Sequence, residues 1–215
     1  MPGFLVYHSE MGRNIDSIAL GKLQEEMKRC KLCLQHGHPI VPRAIFSGPH
    51  SAFMMIIGQA PGGHEVKSGL PFSGPAGRRL FAWFEQAGLD EGFLREKQYI
   101  TAITKCYPGK GNSRGDRVPT AAERALCSGY LARELEIVQP KVVIPVGKVA
   151  IKRFLGDLRL DECLGKRFQV DGRVVVPLPH PSGANVWLNR TSSKLLLQNA
   201  LRRLKQVTAT FQHDE

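Results

Sequence analysis

Five cysteines, a histidine set between two prolines and a glycine-rich run carry the chemistry open to this 215-residue chain. Cys30 and Cys33 form a C-x2-C pair, a spacing that lets two thiolates reach one metal centre. Cys106 and Cys127 could join them, and four thiolates suit either a structural zinc or an iron-sulfur cluster; the spacing does not separate the two. Cys163 reads as an ordinary buried thiol. An odd cysteine count, in a chain whose N-terminus lacks a secretory pattern, argues against a disulfide framework. In the run 58–77, GQAPGGHEVKSGLPFSGPAG, Gly58, Gly62 and Gly63 let the backbone approach a ligand closely and Pro61 stiffens the turn. The run is neither a Walker A loop nor a dinucleotide fingerprint, so ordinary nucleotide hydrolysis loses support. Phe72, between Pro71 and Ser73, is well placed to stack on a planar base, a contact worth about 1–3 kcal/mol. Pro179 and Pro181 fix the backbone on either side of His180, which suits a side chain that must be aimed.

These groups need elements to hold them. Continuously apolar runs at 53–58, 98–105, 141–147 and 173–178 read as strands covered on both faces. Stretches of helical period at 15–29, 76–87, 121–138, 148–154 and 193–205 separate or follow them. Thr120 and Glu123 form a capping box, and Gly88 closes the helix before it. The expected architecture is a three-layer α/β/α sandwich around a central, mainly parallel four-stranded sheet, one domain over 1–207 with a polar tail over 208–215. Ligands of such sheets bind outside the carboxyl ends of the strands. The loops 59–77, 106–119 and 179–190 and the turn at Gly147 all fall there.

Thirty Lys plus Arg against 19 Asp plus Glu leave a formal charge of +11, which favours a polyanionic partner and says nothing about fold. No apolar run approaches a membrane span, so the expectation is a cytoplasmic monomer with no membrane partner.

Taken together, the motifs resemble those of the uracil-DNA glycosylase superfamily, nearest its iron-sulfur families 4 and 5. Gly58-Gln59-Ala60-Pro61-Gly62, Glu65, Gly69-x-Pro71-Phe72-x-Gly74 and Ala76-Gly77 are similar to that superfamily's first motif, and His180-Pro181-Ser182 to its second. Ile100-Thr101, Lys105-Cys106-x-Pro108, Arg117-x-Pro119, Glu123 and Cys127 resemble the segment between them. The resemblance implies an enzyme that flips a damaged base out of duplex or single-stranded DNA and hydrolyses its N-glycosidic bond in base excision repair. It implies that His180 bonds the developing negative charge on the base, that Phe72 stacks on it, and that Gly58, Gln59, Ala60 and position 102 surround it. Pro61, Gly62, Arg117, Ser182, Gly183 and Asn185 would meet the DNA strand, and Cys30, Cys33, Cys106 and Cys127 would ligate a 4Fe-4S cluster.

The chain departs from that pattern at three places. Gln59 replaces an acidic residue, and Ala60 stands where the classical uracil enzymes carry a water-activating Asp, which leaves Gln59, Glu65 and Asp116 as candidates for the groups that assist His180. Ala102 replaces the asparagine that reads the pyrimidine edge, so the substrate range could extend from uracil to hypoxanthine or xanthine. The segment after His180 lacks the usual large apolar wedge, for which Trp187 or Leu188 could substitute. The alternative function is a non-catalytic module of the same fold that binds damaged or single-stranded DNA.

Overall fold

A computed structural model describes residues 3–111 and 115–211; three residues of the loop 106–119 and the last four of the expected tail lie outside it. The elements run α1 (Gly3–Arg29), α2 (Leu32–Gln35), β1 (Met54–Gly58), α3 (Gly63–Ser68), α4 (Pro75–Gln86), α5 (Glu91–Lys97), β2 (Tyr99–Ala102), α6 (Ala121–Val138), β3 (Val142–Pro145), α7 (Lys148–Leu155), α8 (Leu160–Cys163), β4 (Phe168–Val170), β5 (Arg173–Val175), a 3₁₀ turn (Val186–Asn189) and α9 (Thr191–Ala209).

The sheet order is β2-β1-β3-β5-β4. The four expected strands are all present and mutually parallel, with Gly58 level with Ala102 and Ile56 level with Ile144. The sequence reading misses a fifth strand, β4, which pairs antiparallel with β5 at the sheet edge. Its signal is the dipeptide Asp171-Gly172, where both residues have positive φ, +50° and +75°, as a tight two-residue hairpin requires.

Strand residues alternate between two cores. Met54, Ile56, Val142 and Ile144 face one layer with Leu80, Phe81 and Phe84 of α4, Leu94 of α5 and Leu201 and Leu204 of α9. Met55, Ile57 and Val143 face the other with Leu20 of α1, Leu131 and Leu135 of α6 and Ala150 of α7. This is the three-layer sandwich, and burial on both sides explains why the strands are apolar throughout.

The helix ends follow their signals. Thr120 accepts the Glu123 amide at 3.2 Å while the Glu123 carboxylate accepts the Thr120 amide at 2.7 Å. After α4, the Leu89 and Gly88 amides donate to the Phe84 and Glu85 carbonyls at 3.0 and 2.9 Å, with Gly88 at φ +83°. The sequence reading begins a polar tail at Thr208, but α9 continues to Ala209 because Val207 and Thr208 are buried and the Thr208 hydroxyl bonds back to the Leu204 carbonyl at 3.0 Å. Among the described residues, no helix is long and apolar enough to cross a membrane.

Candidate active site

The ends of β1 and β2 and the turn after β5 surround a cleft of about 310 Å³. Gly58, Gln59, Ala60, Pro61, Gly62, Glu65, Phe72, Ala102, Asp116, Arg117, His180 and Ser182 all line it. The crossover leaving β1 runs over one layer and that leaving β2 over the other, so this is the switch-point crevice of a parallel sheet.

His180 is aimed by its own turn. The Ser182 amide donates to Nδ1 at 3.3 Å, and Asn185 Nδ2 holds the His180 carbonyl at 2.8 Å. An Nδ1 that accepts leaves Nε2 to carry the proton. Burial lowers the pKa of the ring below its ordinary value, so at neutral pH the side chain is an uncharged Nε2–H donor. Gly147, at φ +87°, lets this ring approach: a Cβ there would lie 3.1 Å from His180 Cδ2.

Phe72 lines the same cleft in a left-handed conformation, φ +51°, unusual for a bulky residue. Its ring lies over the end of β1, where a Cβ on Gly58 would come within 2.9 Å of Cζ. Its carbonyl packs on α4 so closely that a Cβ on Gly77 would stand 1.8 Å from the oxygen. Both glycines are therefore dictated by Phe72.

The two carboxylates differ in what they have left to offer. Glu65 spends one oxygen on the Gly62 amide and the other on the Gly74 amide, each at 3.0 Å. It staples the turn after β1 to the start of α4 and so positions the cleft. Asp116 accepts from the Tyr107 hydroxyl at 2.7 Å, from Lys110 Nζ at 3.1 Å and from the Gly63 amide at 3.4 Å. Burial raises its pKa, but these donors outweigh that and hold the carboxyl below its usual range, ionised at the rim.

Other expected contacts are placed differently. Arg117 lines the cleft, but its guanidinium forks onto Glu123 at 2.7 and 2.5 Å. Gly183 and Asn185 stand outside the cleft lining. The wedge candidates are both committed: Trp187 donates to Asp161 at 2.8 Å and packs beside α8, and Leu188 packs against the α4/α9 core. Val186, just before them in the chain, is instead 76% exposed. The sequence reading also misses His64 and Thr101, which line the cleft, and Arg79, whose Nη1 ties α4 to the Ser182 carbonyl at 3.3 Å.

Cys30, Cys33, Cys106 and Cys127 line one small cavity of about 30 Å³ between α1, α2 and α6, among Met27, Leu32, Ile40 and Leu126. All four are free thiols, although among the described residues no group of three or more Cys, His, Asp or Glu forms a ready-made cradle for a metal ion. Burial, with the neighbouring Cys127 adding to it, pushes the pKa of Cys33 to about 11 and that of Cys106 to about 12. Four thiols so placed cannot ionise together without a cation, which is the chemistry of a thiolate-bound centre. Cys163 lies apart, buried beside Ile151 and Leu160.

Between cavity and cleft stands Lys105, whose side chain is 2% exposed. Its amide donates to Cys127 Sγ at 3.4 Å, and its ammonium to Glu134 at 2.5 Å, Thr101 at 2.9 Å and the Ala102 carbonyl at 2.6 Å.

Known proteins share this arrangement of sequence. A family profile described as the uracil DNA glycosylase superfamily matches residues 46–205. The type-4 uracil-DNA glycosylase of Sulfurisphaera tokodaii is 28% identical over 203 residues, 89% of this chain and 86% of that one. That of Thermotoga maritima is 29% identical over 185 residues, 85% and 86% of the two chains. The type-5 uracil-DNA glycosylase of Pyrobaculum aerophilum is 32% identical over 181 residues, 78% and 75%. With the profile spanning the sheet, the cleft and its histidine, the chain belongs to the uracil DNA glycosylase superfamily.

Proposed function

We propose that this DNA glycosylase draws a deaminated base, uracil first and hypoxanthine or xanthine beside it, into the cleft and hydrolyses the bond to its sugar. The observation that carries this reading is that His180, its Nδ1 taken by the Ser182 amide and its Nε2–H left to donate, lines the same cleft as the aromatic ring of Phe72. The flipped base stacks on Phe72. As the C1′–N bond breaks, its electron pair leaves with the base, and His180 donates a hydrogen bond to the carbonyl oxygen where the charge collects. Asp116, ionised at the rim, faces the cationic sugar and orients water, whose oxygen joins C1′ and whose proton passes to solvent. Glu65 and Gln59 support that turn instead of acting as bases; the Gln59 carbonyl accepts the Thr104 amide at 3.2 Å.

Ala102 offers no amide to read a pyrimidine edge, which is why the range extends beyond uracil. Val186, exposed and two residues beyond the cleft-lining Ala184, fills the gap the base leaves in the stack. Ser182 meets a flanking phosphate with Pro61 and Gly62, and the +11 charge adds a sequence-independent attraction.

The four free cysteines around one cavity fit a soft, multi-thiolate centre, and we assign them a 4Fe-4S cluster. When bound, such a cluster would offset part of the thiolate charge and, through Cys30 and Cys127, would link the end of α1 to α6. Metal and sulfide analysis of the purified chain is expected to find iron with sulfide; zinc without iron would remove the assignment.

The test of function uses end-labelled single- and double-stranded oligonucleotides carrying uracil, hypoxanthine or xanthine, treated with alkali after incubation. Cleavage at uracil is expected. Retained binding with no cleavage at any lesion would make the chain a binding module.

A further inference from the structure

Phe72 is a stacking surface that the backbone around it does not favour. A left-handed non-glycine residue costs about 1–3 kcal/mol and persists only where its surroundings over-determine it. The glycines at 58 and 77 make room for this conformation but supply no force to hold it.

One side chain does supply it. Arg95, on α5 and outside both motifs, points Nη1 at the Pro71 carbonyl, 3.0 Å away, and Nη2 at the Phe72 carbonyl, 3.2 Å away. Its Nε donates to Glu91 at 2.7 Å, and its guanidinium lies over the Phe81 ring, 4.4 Å from the centroid. The fork thus grips two consecutive carbonyls and is itself held by a carboxylate below and an aromatic face beside it. A planar guanidinium does this because its donors diverge in fixed directions; an ammonium presents no such fork.

We infer that Arg95 is a positioning residue that sets the Phe72 ring in place for the base, and so tunes base affinity without touching DNA. The inference rests on the glycosylase reading above. It places the substrate's grip under the control of α5, an element that contributes nothing to the cleft lining.

The test is a double-mutant cycle on the full chain with Arg95→Ala and Phe72→Ala, read as inhibition by free uracil and as single-turnover excision against enzyme concentration. Arg95→Ala is expected to weaken free-uracil inhibition about tenfold, equivalent to about 1.4 kcal/mol, and to raise the half-saturating concentration in step while the saturating rate changes little. In the Phe72→Ala background, Arg95→Ala should cost almost nothing more. Arg95→Lys keeps the charge without the fork and should behave like Arg95→Ala; it also serves if the alanine variant folds poorly. Equal losses from Arg95→Ala with and without Phe72, or full rescue by lysine, would overturn the inference. A wild type that neither cuts nor binds uracil would overturn the glycosylase reading and the inference with it, whereas an active wild type with an additive cycle overturns the inference alone.

Discussion

The cleft and the cysteine cavity open off the same stretch of chain between β2 and α6, and they are made of opposite materials. The cleft, about 310 Å³, is walled by tight turns whose polar groups are paired with backbone: Glu65 with two amides, His180 with one, Asp116 with one. The cavity, about 30 Å³, is walled by Met27, Leu32, Ile40 and Leu126 and carries four cysteine sulfurs. A site that admits a base needs room, and a neutral donor held still. The thiolate-bound centre proposed for the cavity would need a dry wall to keep water away from its ligands. Lys105 touches both, reaching Cys127 with its amide and Ala102 with its ammonium, so the two hollows are separable in chemistry and joined in stability.

The largest effect should come from that shared wall. Lys105→Met leaves the Glu134 carboxylate buried without its partner, at a cost of about 3–5 kcal/mol. Thermal unfolding should then come about 10 °C earlier. The double variant Lys105→Met/Glu134→Leu removes both charges and should recover most of the loss; no recovery would break the view of this pair as a buried strut.

A smaller effect belongs to the cavity side. The Arg117 fork holds the Glu123 carboxyl, which also caps α6, at about 2. Because the folded value is below the unfolded one, this group stabilises above about 4.5, and the contribution is lost as pH falls toward 2. Urea midpoints measured from pH 6 to 2 should fall for the wild type and flatten for Glu123→Gln; identical slopes would count against it. On the cleft side, burial depresses His180 below 6.5, so the excision rate should be level above that value and decline only below it, as protonation displaces the Ser182 amide from Nδ1.

The smallest concerns the turn beyond the cleft. Trp187→Phe deletes the bond to Asp161, worth about 1 kcal/mol, and should lower the melting temperature by about 2–4 °C with excision unchanged. A large loss of excision would return Trp187 to the role of wedge and displace Val186.

The regular parts of the fold were legible because their residues obey a period. α6 begins after the Thr120 box and spans Ala121–Val138 as its pattern predicts, and the four apolar runs became the four parallel strands. The β4 hairpin escaped because Phe168-Gln169-Val170 is three residues long and half exposed, too short to show alternation, although its Asp-Gly turn was on view. The site was legible where backbone demands fix residue type, as at the glycines and His180. What lay hidden were pairings across distance: that Arg117 is spent on Glu123, that Glu65 is spent on amides, and that Arg95, 23 residues from Phe72, holds it. Spacing along a chain carries no record of such partners, because each depends on how separate helices pack.

The central claim is that His180 supplies the chemistry of the cleft and no part of the fold's support. Single-turnover release of uracil from a uracil-bearing strand, measured for the wild type and His180→Ala alongside their melting temperatures, tests it most directly. The account predicts a rate loss of about 10²–10³-fold, the cost of one hydrogen-bond donor to a developing oxyanion, with melting unchanged to within a few degrees. Equal rates, or no release from a folded wild type, would contradict it.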